Sequence, residues 1–162
     1  MPRMEEVIIR KARLSDVNTA CEIAKECWAD IYEGYKKQLG DEIYDIVYSV
    51  DPLLTKAAKI KSAIEEGRVF VAECDGRICG FSSFAVDGKV GILNENGVKS
   101  SFRGMGIAQK LYDAVFERLC DAGCEVVRVG TGLDDAHAPA RRAYEKAGFE
   151  ASLSSIVYYK KI

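Results

Sequence analysis

Apolar side chains recur every four residues at Ile107, Leu111, Val115 and Leu119, while Gln109, Lys110, Asp113, Glu117 and Asp121 take the other side. That period predicts an amphipathic helix with one stripe on a core. Gly91–Val98, just upstream, reads as a strand, and a turn from Arg103 to Ala108 joins the two. Gly104 and Gly106 stand where the helix begins, so no bulky side chain covers its first N–H groups. Those groups lack intrahelical partners, and the helix dipole adds partial positive charge there. A strand, a glycine-bearing turn and a helix N-terminus make an anion site, usually for phosphate.

The rest of the chain alternates similar patterns. Val7–Arg10 is a short β-prone run, and Ser15-Asp16 supplies an N-cap for a helix carrying Val17, Ala20, Cys21, Ala24, Cys27, Trp28 and Ile31. Tyr32–Lys37 breaks that period, and Gly40-Asp41 starts a second helical region, interrupted at Asp51-Pro52. Leu54, Ala57, Ala58, Ile60 and Ile64 restore a helical period as far as Glu66-Gly67. Arg68–Glu73 and Arg77–Phe84 read as strands joined by Asp75-Gly76, and Asp87-Gly88 repeats the hairpin signal before Lys89–Val98. Glu125–Gly130, with Val126, Val127 and Val129, suits a central, buried strand. Pro139 and Gly148 bracket a last helix. Phe149–Ala151 and Ser155–Lys161 then predict a final strand completing the sheet.

Length and charge narrow the picture. The 162 residues fit one domain spanning 1–162, with room for a core that needs no metal or disulfide. A net charge of −2 gives no global pull toward nucleic acid. No apolar run approaches the ~20 residues of a membrane span, and Met1–Arg10 lacks the apolar core of a signal peptide. Six cysteines contain no C-x-x-C pair, and His137 is the only histidine, so no metal site is expected. Free, reduced cysteines and a cytoplasmic location follow as the expectation.

Which phosphate the loop holds is decided by its neighbours. A Walker A loop would need G-K-[S/T] where Gly106-Ile107-Ala108 stands, and a dinucleotide fingerprint would need Gly or Ala at Gln109. Arg103-Gly104-Met105-Gly106-Ile107-Ala108 instead resembles the R/Q-x-x-G-x-G/A loop of the GNAT superfamily of acetyl-CoA-dependent N-acetyltransferases. His137–Phe149, H-A-P-A-R-R-A-Y-E-K-A-G-F, resembles that family's second signature, N-x-x-A-x-x-x-Y-x-x-x-G-F. Ala140, Tyr144, Gly148 and Phe149 match it, while His137 stands where the family usually has Asn. The two motifs lie about 40 residues apart in the family's order, after three serial antiparallel strands.

The resemblance implies an α/β (α+β) fold. Its mixed, mostly antiparallel sheet would have about seven strands, splayed between strands 4 and 5 and flanked by about four helices. It implies acetyl-CoA as cosubstrate and no metal. Arg103, Gly104, Met105, Gly106, Ile107 and Ala108 would hold the pyrophosphate, and the backbone of Gly97 and Val98 would hold pantetheine and polarise the thioester. Gly97 would suit a bulge that frees an N–H from the ladder. His137 would replace the Asn contact. Tyr144 would be the general acid toward the coenzyme A thiolate. Glu95 is the favoured base, with Glu73, Asp134, Asp135 or water as alternatives. Tyr32, Glu33 and Tyr35 would fall on the acceptor wall.

The base matters because deprotonating a lysine-like amine at pH 7 costs about 4.6 kcal/mol, against about 1.4 kcal/mol for an α-amine. Two functions stand side by side. One is transfer of acetyl to a primary amine of a small molecule or polypeptide by direct attack. The other is a catalytically idle acetyl-CoA-binding sensor or partner module. The acceptor is open. Members of the family often form homodimers, but no stretch of this chain signals one.

Overall fold

A computed structural model describes residues 6–162. Residues 1–5 lie outside it, so the expectation about a leader in Met1–Arg10 falls partly outside the described residues. Ten regular elements alternate along the chain. They are β1 (Val7–Lys11), α1 (Val17–Leu39), α2 (Asp41–Val47), α3 (Pro52–Glu65), β2 (Val69–Cys74), β3 (Arg77–Asp87), β4 (Val90–Val98), α4 (Ile107–Asp121), β5 (Val126–Val129) and α5 (Ala138–Lys146). The strands form one sheet in the order β1-β2-β3-β4-β5. Every neighbouring pair is antiparallel except β4 and β5, which run parallel.

Local chemistry accounts for most boundaries. The β2–β3 hairpin turns at Asp75 and Gly76, both at positive φ (51° and 71°), as a D-G turn requires. Asp51 accepts from the Leu53 N–H at 2.9 Å, and Pro52 starts α3 behind that cap. The expected cap at Asp16 takes another form. Its carboxylate accepts from Arg13 N–H at 2.7 Å and from the Arg10 guanidinium at 2.8 and 3.0 Å. Glu73 also accepts from Arg10, at 2.7 Å. Asp16 therefore ties β1 to the start of α1 instead of capping the helix.

Two helical layers cover the sheet. On one face α1 and α3 bury Ala20, Ile23, Ile60 and Ile64 against Val69, Val71 and Phe81. On the other, the α4 stripe buries Ile107, Leu111, Val115 and Leu119, joined by Tyr112 and, from α5, Tyr144. Gly91 is needed under this helix, because a Cβ there would meet the Leu119 side chain at 2.5 Å.

Four sequence expectations are corrected. The sheet has five strands among the described residues, not about seven. Residues 149–162 form no strand: Leu153, Ile156, Val157 and Tyr158 are exposed, and Lys161 pairs with Glu42 of α2. β-Prone composition does not make a strand unless the segment is paired, and this one is not. β5 is consequently an edge and not a central strand, with Val126 60% exposed. Finally, α1 does not stop before Tyr32 but continues through Gly34 to Leu39. One interior glycine costs about 1 kcal/mol, and rings packed edge-on between Tyr32 and Tyr35, and between Tyr32 and Tyr48, offset it.

Candidate active site

The sheet opens where β4 and β5 part. They pair from Val90↔Val126 to Leu93↔Val129, and β4 then runs on to Val98 without β5 beside it. Into that gap opens a cleft of about 1590 Å³ that reaches both faces of the sheet. Of the residues expected at the site, Glu95, Gly97, Val98, Arg103, Gly104, Gly106, Ile107, Ala108, His137 and Tyr144 line it. Met105 does not; it is exposed on the outside of the turn. Tyr32 and Tyr35 line it through the extension of α1, whereas Glu33 points outward and pairs with Lys37. Glu73 lies outside the cleft, paired with Arg10.

The loop before α4 is shaped by its glycines. Gly104 and Gly106 adopt φ of +78° and +77°, which side chains rarely tolerate, and nothing stands within 4 Å of where a Cβ would project. The result is an open approach to the first-turn N–H groups of α4, with Arg103 beside it. An elongated anionic ligand running from this turn into the gap fits both the open backbone and the cleft's size.

At the end of β4 only one of two expected amides is free. Lys99 N–H bonds Cys79 O at 2.8 Å, so strand alternation also commits Gly97 N–H to β3 and turns Val98 N–H toward the gap. No bulge occurs at Gly97; the ladder continues through Phe81↔Gly97 and Gly80↔Val98. Gly97 is required for a different reason: a Cβ would meet Cys27 Sγ at 2.9 Å. The register shift lies earlier, where Ser83 faces the extra residue of Asn94-Glu95. Ser83 Oγ secures it by donating to Glu95 O at 3.0 Å.

Past that bulge the side chains of β4 sort to opposite faces. Asn96 turns toward α4 and α5. Its Nδ2 donates to the Tyr144 hydroxyl at 3.1 Å, and its Oδ1 accepts from the Tyr112 hydroxyl at 2.9 Å. Burial pushes the Tyr144 phenol up from its ordinary pKa, against the Asn96 hydrogen bond that holds it down. Burial likewise raises Tyr112. Tyr144 therefore stays protonated across the neutral range and can give its proton. Asn96 and Tyr112 have no counterpart in the two motifs; only their place beside the strand end could have drawn attention to them.

Glu95 turns to the other face. Lys56 of α3 lies 3.5 Å from its Oε1, and the Lys56 ammonium sits 4.9 Å from the centre of the Trp28 ring. Both charged groups are largely buried. The two catalytic candidates thus lie on opposite sides of β4 and meet only through the gap.

A third group stands at the start of α5. His137 Nδ1 is 2.5 Å from Asp134 Oδ1, and the ring stacks on Tyr35 of α1 at 6.1 Å between centroids. Arg141 holds the preceding turn by donating to Gly132 O (2.6 Å) and Asp134 O (2.8 Å). All six cysteines are free, and no group of three or more metal-ligating side chains occurs among the described residues. No helix among them is long and apolar enough to cross a membrane.

Comparison with known proteins agrees with this architecture. Residues 19–149 match the sequence profile described as the Acetyltransferase (GNAT) family. An aminoglycoside N-acetyltransferase, AAC(6')-Iy, solved in complex with CoA, superposes with a TM-score of 0.68 at 20% identity. That match covers 100% of this chain and 99% of the other. The PaiA N-acetyltransferase from Thermoplasma acidophilum, solved in complex with coenzyme A, gives 0.70 at 19% identity, covering 93% of each chain. At such identities the likeness is one of fold.

Proposed function

The chain belongs to the acetyltransferase (GNAT) family, and from that premise we propose that it transfers acetyl from acetyl-CoA to the primary amine of an acceptor, by direct attack in a ternary complex. The observation that carries this reading is the single cleft in which the glycine turn, the free Val98 amide and the Tyr144 phenol lie together. The CoA held by the two solved relatives supports the choice of cosubstrate.

In this reading the turn from Arg103 to Ala108 binds the pyrophosphate on its open amides. Val98 N–H donates to the thioester carbonyl and strengthens that bond as charge develops on the oxygen. One such donor is typically worth about 2.7–4 kcal/mol in the transition state. Tyr144 protonates the leaving thiolate, held in place by Asn96. The acceptor enters from the wall of α1, past Tyr32 and Tyr35, where Glu95 supplies negative charge for an ammonium. Glu95 was the base expected from sequence; its engagement with Lys56 and Ser83 suits it better to docking that charge. The bisubstrate analogue of a neamine bound by a structural relative supports an amine acceptor of some kind.

An amine panel followed by coenzyme A release tests the proposal. Turnover with at least one primary amine is expected. Acetyl-CoA at 100 times its Kd should stabilise the fold by about 2.7 kcal/mol, roughly 5–10 °C in midpoint for a domain of this size. NAD and ATP should do markedly less. Binding without turnover on any amine would favour the idle acetyl-CoA-binding module, and equal shifts with NAD would overturn the cosubstrate.

A further inference from the structure

Resting on the acetyltransferase reading, we propose that the Asp134–His137 pair is the base that takes the proton from the acceptor ammonium, with His137 acting as catalytic residue and Asp134 as positioning residue. His137 lines the cleft with its side chain 12% exposed. Its Nδ1 is occupied by Asp134 at 2.5 Å, so the proton on that nitrogen is fixed by the carboxylate and Nε2 remains the lone-pair nitrogen. Nε2 has no partner among the described residues.

The pair is built rather than incidental. Arg141 clamps the backbone on both sides of Asp134. A Cβ at Gly132 would collide with Asp134 Oδ1 and stand 2.6 Å from His137 Nδ1, so the turn admits no side chain there. Asp134 Oδ2 is buried with no hydrogen-bond partner among the described residues. Tyr35 of α1 stacks on the imidazole and holds its plane against the acceptor wall. A carboxylate that orients an imidazole in the wall of a substrate cleft and leaves its second nitrogen unpaired is the arrangement by which histidine serves as a base.

Placement on α5 connects this base to the acid. His137 precedes Tyr144 by seven residues, two helical turns, so both project from the same side of α5. Their Cα atoms are about 10 Å apart along the axis. The imidazole contacts Asp134 from the turn and Tyr35 from α1. Arg141 of α5 binds the Asp134 backbone, Asp135 and Arg142 line the same cleft, and Tyr48 and Tyr159 lie near Tyr35. Glu95, by contrast, is already engaged by Lys56 and Ser83 on the far face of β4.

The proton balance is complete. The ammonium gives one proton to His137 Nε2, directly or through one water, and the amine nitrogen bonds to the acetyl carbon. The C–S bond breaks, Tyr144 gives its proton to the departing thiolate, and the second amine proton restores Tyr144. His137 returns its proton to solvent, so one proton is released per amide formed.

Because His137 is the only histidine in the chain, its ring protons give isolated NMR resonances. The ring 15N shifts should place the proton on Nδ1 in the full-length parent, as the contact with Asp134 requires, with the tautomer balance changed in Asp134→Asn. A neutral ring carrying its proton on Nε2 overturns the base assignment, whatever the turnover. In kinetics, parent kcat/KM for the acceptor should show an acid limb. His137→Asn, which installs the residue usual in the family, should lower kcat about 100-fold at pH 7 and erase that limb, with acetyl-CoA Kd and thermal midpoint near parent values. Rising pH should recover the rate as the amine deprotonates unaided. A His137→Asn profile superimposable on the parent, or loss of the limb in Glu95→Gln with His137→Asn unaffected, overturns the proposal. A parent that turns over no amine fails the acetyltransferase reading itself, and the ring 15N shifts still decide whether Nε2 is the nitrogen left free to act as a base.

Discussion

Asn96 Nδ2 donates to the Tyr144 hydroxyl at 3.1 Å, so the phenol accepts from β4 and keeps its own proton for the cleft. Tyr144→Phe retains the ring and its packing beside Tyr112 and Phe149 and removes only that proton. It should lower kcat by about 10²–10³ with little change in KM for acetyl-CoA. Asn96→Ala should lower kcat less and also leave the Tyr112 hydroxyl without its acceptor. Steady-state kinetics across pH 6–9 checks both; normal turnover of Tyr144→Phe would remove the acid role.

Gly106 begins α4 at φ +77° with open space where a side chain would go. Gly106→Val therefore strains the backbone by about 1–2 kcal/mol and places a branched side chain over the first-turn amides. Its thermal midpoint should fall by a few degrees, and acetyl-CoA affinity should fall further than that strain explains. Calorimetric titration of the folded variant separates the two. Unchanged affinity would take the pyrophosphate away from this turn.

Gly97 and Cys27 should show strong coupling. Gly97→Ala puts a Cβ 2.9 Å from Cys27 Sγ, an overpacking that costs about 1–3 kcal/mol. Cys27→Ala removes the sulfur, leaving Cys27 Cβ at an ordinary 3.6 Å. The double variant should thus be more stable than the sum of the single effects allows. Denaturant unfolding of the four proteins measures that excess; simple additivity would mean α1 shifts aside freely.

Asp16 gives the fold a pH dependence. The Arg10 guanidinium, with the Arg13 N–H, holds its carboxyl below the usual carboxylate range despite burial. A depressed folded-state pKa stabilises above the unfolded value, and the benefit is lost as pH falls through the folded one. Asp16→Asn should accordingly cost about 1–3 kcal/mol at pH 7, and its gap from the parent should narrow steadily below pH 4. A constant gap from pH 7 to pH 3 would show that the ionised carboxylate does not matter.

What the sequence determined by itself is local and periodic. The four-residue stripe of α4, the D-G hairpins and the Pro–Gly bracket around α5 are preferences of the backbone and of one face, and each acts over a few residues. The two motifs stand in those segments, so the loop and Tyr144 could be named as candidates before any packing was known. Other features depend on partners far along the chain. Glu95 meets Lys56 across 39 residues only because a bulge opposite Ser83 and the seat of α3 bring them together. The Asn96–Tyr144 bond spans 48 residues and needs the gap between β4 and β5. Tyr32 and Tyr35 reach the cleft because packing carries α1 through Gly34, against the local signal. Ile156–Tyr159 has the composition of a strand but pairs with no other strand, which no single-chain pattern can reveal. Local periodicity encodes which face of an element is buried; register and packing decide what that face meets.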